Sequence, residues 1–189
     1  MTQRFGDSFD AVLDAARSGA GWAFEPLFQW LAKPVTAYLR GAGIEDPEGS
    51  TNDVMLRAFT SLERFSGDED RFRSWVFTIA HHLVIDERRR MSRRPRPAPL
   101  DAAGPEPGQP QAPAELDALI TLGDARVREL LGGLAPDQRD VVLLRIVADL
   151  SIEDTAAALG KRPGAVKALQ HRAMRSLRNR LDPQNGDMA

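Results

Sequence analysis

The sequence predicts an all-α protein: two small helical domains joined by a flexible proline-rich linker, the C-terminal one a helix-turn-helix. Three observations carry that expectation. Apolar residues recur at three- and four-residue spacing through both ends of the chain, and no strand-length alternation stands out. Seven of the thirteen prolines of the 189-residue chain fall between Pro95 and Pro113, where each removes a backbone donor and blocks a preceding helical turn. Charge is divided around that run: residues 88–96, RRRMSRRPR, hold six arginines, and residues 97–125 hold five acids and no base. The expected domains therefore span residues 1–94 and 114–182, with the linker at 95–113 and a tail at 183–189.

In the first domain, Ser8 is placed to cap a helix over FDAVLDAARSG, with Phe9, Val12, Leu13 and Ala16 on one face. Gly19 and Gly21 break it. A second segment runs from about Trp22 to Leu39, with Leu27, Trp30, Leu31, Val35 and Leu39 as its apolar face. Pro26 suits a first turn, where its missing donor costs little. Pro34 is expected either to kink the helix or to divide it. A third segment follows Pro47, capped by Ser50 or Thr51 and closed by Gly67. Val54, Ala58, Ser61 and Leu62 lie on one side of it, widened by Met55, Phe59 and Phe65. The fourth, RFRSWVFTIAHHLVIDERRR, carries a stripe of Phe72, Trp75, Val76, Ile79, Leu83 and Val84. It ends in arginines, which suit the C-terminal end of the helix dipole. Phe72 and Trp75 read as core; Phe77 fits either core packing or stacking on strand-separated DNA.

In the second domain, AELDALITLGDARVRELLGGL reads as one helix or two, ending at Gly132 and Gly133. Pro136 and Asp137 open the next helix, whose apolar set is Val141, Leu144, Ile146 and Val147 and which ends at Leu150. Ser151 caps IEDTAAALG, with Asp154 at the capping-box position. Ile152, Ala156 and Leu159 face the core, and Gly160 ends the helix. Pro163 begins PGAVKALQHRAMRSLRNRL, which buries Val166, Leu169, Ala173 and Leu177 and shows Lys167, His171, Arg172, Arg175 and Arg178 on its other face. From Lys161 to Arg180 there are seven Lys or Arg residues and no acid. A capped short helix of small residues, a glycine turn and a basic helix form the pattern of a DNA-binding helix-turn-helix. Its second helix suits the major groove, with donors for phosphates and guanine edges.

Other chemistries find no support. The chain has no cysteine, which excludes disulfides and thiolate metal sites. His81 and His82 diverge by about 100° on a helix, His171 lies across the linker, and no HExxH motif or carboxylate cluster occurs. No GxSxG, GxGxxG or phosphate-cradling glycine loop is present. No metal, cofactor or catalytic residue is therefore expected. Asp86 and Glu87 sit beside arginines and read as ion-paired rather than as acid–base catalysts. There is no long apolar run and no secretory leader, so a cytoplasmic protein without membrane insertion is expected. The net charge of −2 argues against a generally basic nucleic-acid coat. It leaves room for local basic faces.

Three stretches, DVMLRAFTSLERF, FRSWVFTIAHHLVIDERRR and LAPDQRDVVLLRIVADLSIEDTAAALGKRPGAVKALQHRAMRSLR, resemble the sigma-70 family of RNA polymerase sigma factors, in its small extracytoplasmic-function group (group 4). The resemblance covers roughly residues 22–94 and 115–180. It implies a dissociable subunit of bacterial RNA polymerase that contributes no catalytic residue. The first domain would bind a coiled coil of the largest polymerase subunit and melt the minus-ten element. The second would read duplex minus-thirty-five DNA, and the acidic linker would run through the active-site channel.

Residue by residue, the resemblance implies polymerase-core contacts at Asn52, Asp53, Leu56 and Arg57. The first two stand where the family carries a Gln-Glu pair, and Gly49 stands where it usually has an acid. Minus-ten contacts are implied at His82, Asp86, Arg88, Arg89 and Arg90, with His82 in the place of an Asn that commonly helps capture a flipped base. Minus-thirty-five contacts are implied at Arg162, Lys167, Ala168, His171 and Arg172, with Ala168 where a small hydroxyl residue is common. The implied partners are bacterial RNA polymerase core, promoter DNA and an anti-sigma factor, often membrane-bound. The competing reading is a two-domain helix-turn-helix regulator without affinity for polymerase core. Its first domain should show a ligand pocket, a phosphoacceptor site or a dimer helix, and nothing there reads as such.

Overall fold

The predicted helices form in both segments of the computed structural model, which describes residues 5–93 and 125–181. The first segment holds α1 (Phe9–Arg17), α2 (Phe24–Ala42), α3 (Pro47–Thr60) and α4 (Glu69–Arg93). The second holds α5, helical over residues 125–132, then α6 (Pro136–Val142), α7 (Ile152–Leu159) and α8 (Pro163–Leu181). The expectations for the linker 95–113, the stretch 114–124 and the tail 183–189 lie outside the described residues. No helix among the described residues is long and apolar enough to cross a membrane.

Most apolar faces go where their spacing points, but several local expectations need correction. α1 buries Phe9, Val12, Leu13 and Ala16. Ser8 stands at its N-cap without a side-chain cap bond, because its backbone is already helical rather than extended. Pro34 does not divide α2, which is continuous from Phe24 to Ala42. The buried row of Leu27, Leu31, Val35 and Leu39 offsets the hydrogen bond that proline removes. α3 starts a turn earlier than a Ser50 or Thr51 cap would allow. Asp46 is its cap, accepting from the Gly49 N–H at 2.9 Å, and Pro47 opens the first turn. Thr51 is buried instead, its hydroxyl 2.7 Å from the Pro47 carbonyl and 2.8 Å from Thr36 Oγ1. After α6 the helix widens into a π turn over Leu143–Val147. The extra residue rotates the apolar face, so Leu143 and Leu144 are buried while Ile146, expected in the core, is 58 % exposed.

The two helical regions also meet. One apolar core runs through both: Leu27, Leu31, Tyr38, Phe72, Val76 and Phe77 share it with Leu131, Leu134, Val142, Leu143, Leu144 and Ala148. Phe77 is fully buried with its ring edge-on to Tyr38, centroids 5.6 Å apart, which places it in the core and not on a stacking surface. Gly41 of α2 permits the close approach of the second segment, since a Cβ there would lie 2.6 Å from Leu143 Cδ2. A smaller cluster of Val141, Ala156 and Val166 binds α6, α7 and α8 together.

Candidate nucleic-acid interface

α3 buries Val54, Met55 and Ala58 and turns Asn52, Asp53, Leu56 and Arg57 to solvent. The polymerase-binding candidates thus share one exposed face. Against it lies α4, and between the two helices opens a cleft of about 330 Å³ lined by Ser50, Asp53, Arg57, Leu83, Asp86, Glu87 and Arg90. Two of the core-binding candidates and two of the minus-ten candidates meet there. Asp86 lies 3.9 Å from Arg89, and Glu87 pairs with Arg90 at 2.8 Å, as their sequence positions suggested. Such exposed pairs contribute little to stability, so these arginines can exchange a carboxylate for a phosphate at small cost. The adjacent histidines part as helix geometry requires. His82 faces solvent, while His81 is buried with its Nδ1 3.0 Å from the Tyr38 hydroxyl.

The helix-turn-helix is assembled by local signals. Ser151 Oγ accepts from the Asp154 N–H at 2.9 Å and donates to Asp154 Oδ2 at 2.5 Å. The short aspartate therefore closes the capping box on the hydroxyl. Gly160 ends α7 in the left-handed region at φ 60°, where glycine carries no steric penalty. α8 buries Val166 and Ala173, with Leu169 and Leu177 half-buried. Arg162, Lys167, Ala168, His171 and Arg172 all lie exposed, on the turn and along the outer face of α8. Lys161 ties the turn to α6 through Asp137 at 2.8 Å.

Arg88 is placed differently from its neighbours. Its Nη1 and Nη2 donate to Asp140 Oδ2 and Oδ1, both at 2.8 Å, in a bidentate pair that crosses from α4 to α6. The bond to Asp140 holds the guanidinium pKa above its ordinary value. Asp140 is 3 % exposed. At the other end of α4, Arg73 is buried, and its Nε donates to the Ala148 carbonyl at 2.6 Å. Its guanidinium lies 5.9 Å from the Trp30 ring and 5.5 Å from the Phe77 ring. Its two terminal nitrogens have no hydrogen-bond partner, and burial pushes its pKa below the ordinary value. Sequence reasoning missed Tyr38, Arg73 and Asp140. The available signal was a charge set inside an apolar run, as in RFRSW and RDVVLL.

Comparison with known proteins decides the family. The family described as Sigma-70 region 2 matches residues 28–94, and Sigma-70, region 4 matches residues 124–177. The chain belongs to the sigma-70 family. This sigma factor is 32% identical over 182 residues to the ECF RNA polymerase sigma factor SigD of Mycobacterium tuberculosis, covering 93% of this chain and 85% of that protein. It is 30% identical to the ECF RNA polymerase sigma factor BldN of Streptomyces coelicolor, over 88% of this chain and 63% of BldN. Among solved structures, CnrH in complex with the cytosolic domain of CnrY aligns with a TM-score of 0.68 at 26% identity, covering 95% of this chain and all of that one. The sigma factor RpoE in complex with the anti-sigma factor NepR, from Bartonella quintana, shares the fold with a TM-score of 0.63 at 20% identity, over 86% of this chain and 98% of RpoE. The protein is a sigma factor of the extracytoplasmic-function group, a non-catalytic transcription protein, and the competing regulator reading falls.

Proposed function

We propose that this sigma factor directs bacterial RNA polymerase core to promoters through two separate surfaces. Asn52, Asp53, Leu56 and Arg57 on α3 hold the polymerase core. His82, Asp86 and the arginines Arg88, Arg89 and Arg90 on α4 engage the minus-ten element. Arg162, Lys167, Ala168, His171 and Arg172 face duplex minus-thirty-five DNA. The observation that carries this reading is the α3–α4 cleft, where Asp53 and Arg57 face Asp86 and Arg90. Core binding and strand capture then occur side by side, on helices whose opposite faces are locked in the core. The promoter element, the polymerase core and an anti-sigma factor are the partners.

The test is run-off transcription with bacterial core polymerase on a promoter library, paired with core-binding titrations of Asp53→Arg. Asp53 is exposed, so the charge reversal should leave helicity intact. Loss of an interface anchor costs about 2 kcal/mol, a drop in core affinity of roughly thirtyfold. Absence of any promoter-specific transcript would overturn the function. Unchanged core affinity of Asp53→Arg would overturn the placement of the polymerase surface on α3.

A further inference from the structure

We propose that Arg145 is a positioning residue for promoter reading, one that fixes the direction in which α8 presents its base-facing side chains. The inference rests on the minus-thirty-five role proposed above for α8. Arg145 lies within the π turn of Leu143–Val147 and is half-buried. Its Nη1 donates to the Leu150 carbonyl and its Nε to Gln170 Oε1 at 3.4 Å. One guanidinium thus joins three places: the π turn that carries it, the residue before the Ser151 cap of α7, and the middle of α8. The backbone turns sharply beside that junction. Asp149, just before Leu150, has φ 54° and is the one residue other than glycine with a positive φ among the described residues. That conformation is uncommon for a residue with a Cβ, though aspartate tolerates it better than most.

The apolar grip on α8 is thin. Of its 19 residues only Val166 and Ala173 are buried, with Leu169 and Leu177 half-buried beside them. Burial of such side chains holds a helix against its neighbours but has no direction of its own, so it resists rolling about the helix axis weakly. A hydrogen bond is directional. Gln170 is half-buried on the same side of α8, about 40° around the helix from Val166 and about 60° from Ala173 at 3.6 residues per turn. His171 stands about 100° and Arg172 about 160° from it on that wheel. Holding Gln170 therefore sets where His171 and Arg172 point. Contacts to base edges depend on that direction, whereas phosphate contacts carry no sequence information. Arg145 thus acts on sequence preference through Gln170, without touching a base.

The test is transcription by the full chain with bacterial core polymerase on promoters randomised at the minus-thirty-five element, with a parallel library randomised at the minus-ten element. Arg145→Met keeps the stem and removes the donors. Gln170→Leu keeps the packing volume and removes the acceptor. Each should flatten the minus-thirty-five preference by about tenfold and leave the minus-ten preference unchanged. The double variant should lose little more than Arg145→Met alone, because the two changes break one shared bond. Gln170→Glu keeps an acceptor for the guanidinium and should keep the preference. If Arg145→Met loses helical circular dichroism, Gln170→Leu decides alone. An Arg145→Met loss equal for every minus-thirty-five sequence, with a salt slope lower by about one, would make Arg145 a phosphate contact and overturn the positioning role. A preference unmoved by Gln170→Leu would overturn it as well. Absence of any minus-thirty-five preference in the unsubstituted chain would instead overturn the reading face proposed for α8, and this role with it.

Discussion

Arg73 carries a buried charge with two ring faces, one carbonyl on Nε and no hydrogen-bond partner on either terminal nitrogen, so that burial outweighs the attraction of Asp149, Asp70 and Glu69. Exchange of buried ionic groups for apolar ones of similar volume is commonly neutral or stabilising by about 1–4 kcal/mol. Arg73→Met keeps the stem's packing and removes the charge. The urea midpoint of the full chain should therefore hold or rise, where an average point substitution costs about 1 kcal/mol. A lowered midpoint would show that the rings and the Ala148 carbonyl outweigh the desolvation. At this scale the sequence was legible wherever a residue answers to its own helix. Phe72 and Val76 fell in the core, and His82, Arg89 and Lys167 fell in solvent. Arg73 was not legible, because its charge argues for water although it stands three and four residues before Val76 and Phe77 on the buried face of α4, and the carbonyl that accepts from its Nε comes from the second segment.

α7 shows how much of an element four residues can specify. Ser151 supplies the cap, Asp154 closes the box, Gly160 takes the left-handed turn and Pro163 starts the next helix, each acting on its near neighbours. Ser151→Ala should cost about 1 kcal/mol in urea unfolding of the full chain, and Ser151→Thr should restore most of it. Equal losses for alanine and threonine would show that the hydroxyl is not what holds the turn. Elsewhere, local rules competed. Asp46, Ser50 and Thr51 are all good cap residues within one stretch, and Pro47 favours the first because it can open a helix. The π turn at Leu143–Val147 has no comparable local mark. Its first residue, Leu143, is the one that packs against Gly41 across the seam.

The joining of the two segments was the feature least visible in the sequence, since Arg88 and Asp140 stand 52 positions apart and belong to different amphipathic patterns. The molecule's response to pH follows from the same seam. His81 of α4 is buried against Tyr38 of α2. Burial lowers its pKa below the ordinary 6.5. Asp140 and Asp137 of α6 pull it back up, and Arg88 and His82 push it further down. Because the folded value is depressed, the unfolded chain binds the extra proton first as pH falls. Stability is therefore fully present above pH 6.5 and is lost as pH descends from there through the lowered folded value. Tyr38 gives the opposite limb. Burial, reinforced by Asp140, raises its hydroxyl well above the ordinary 10.0. Above pH 10.0 the unfolded chain gives up a proton that the folded chain keeps, so stability is lost as pH rises. The urea midpoint should form a plateau between these limits, and it should fall as pH descends below 6.5 in the native chain and less so in His81→Phe. Tyr38 is the one tyrosine of the chain, so phenolate absorbance reads it alone. On an alkaline titration that absorbance should stay flat beyond pH 10.0 and rise only with loss of helical circular dichroism. Ionisation near pH 10.0 with the helices intact would show that the seam admits water and that Tyr38 is not sealed by the second segment.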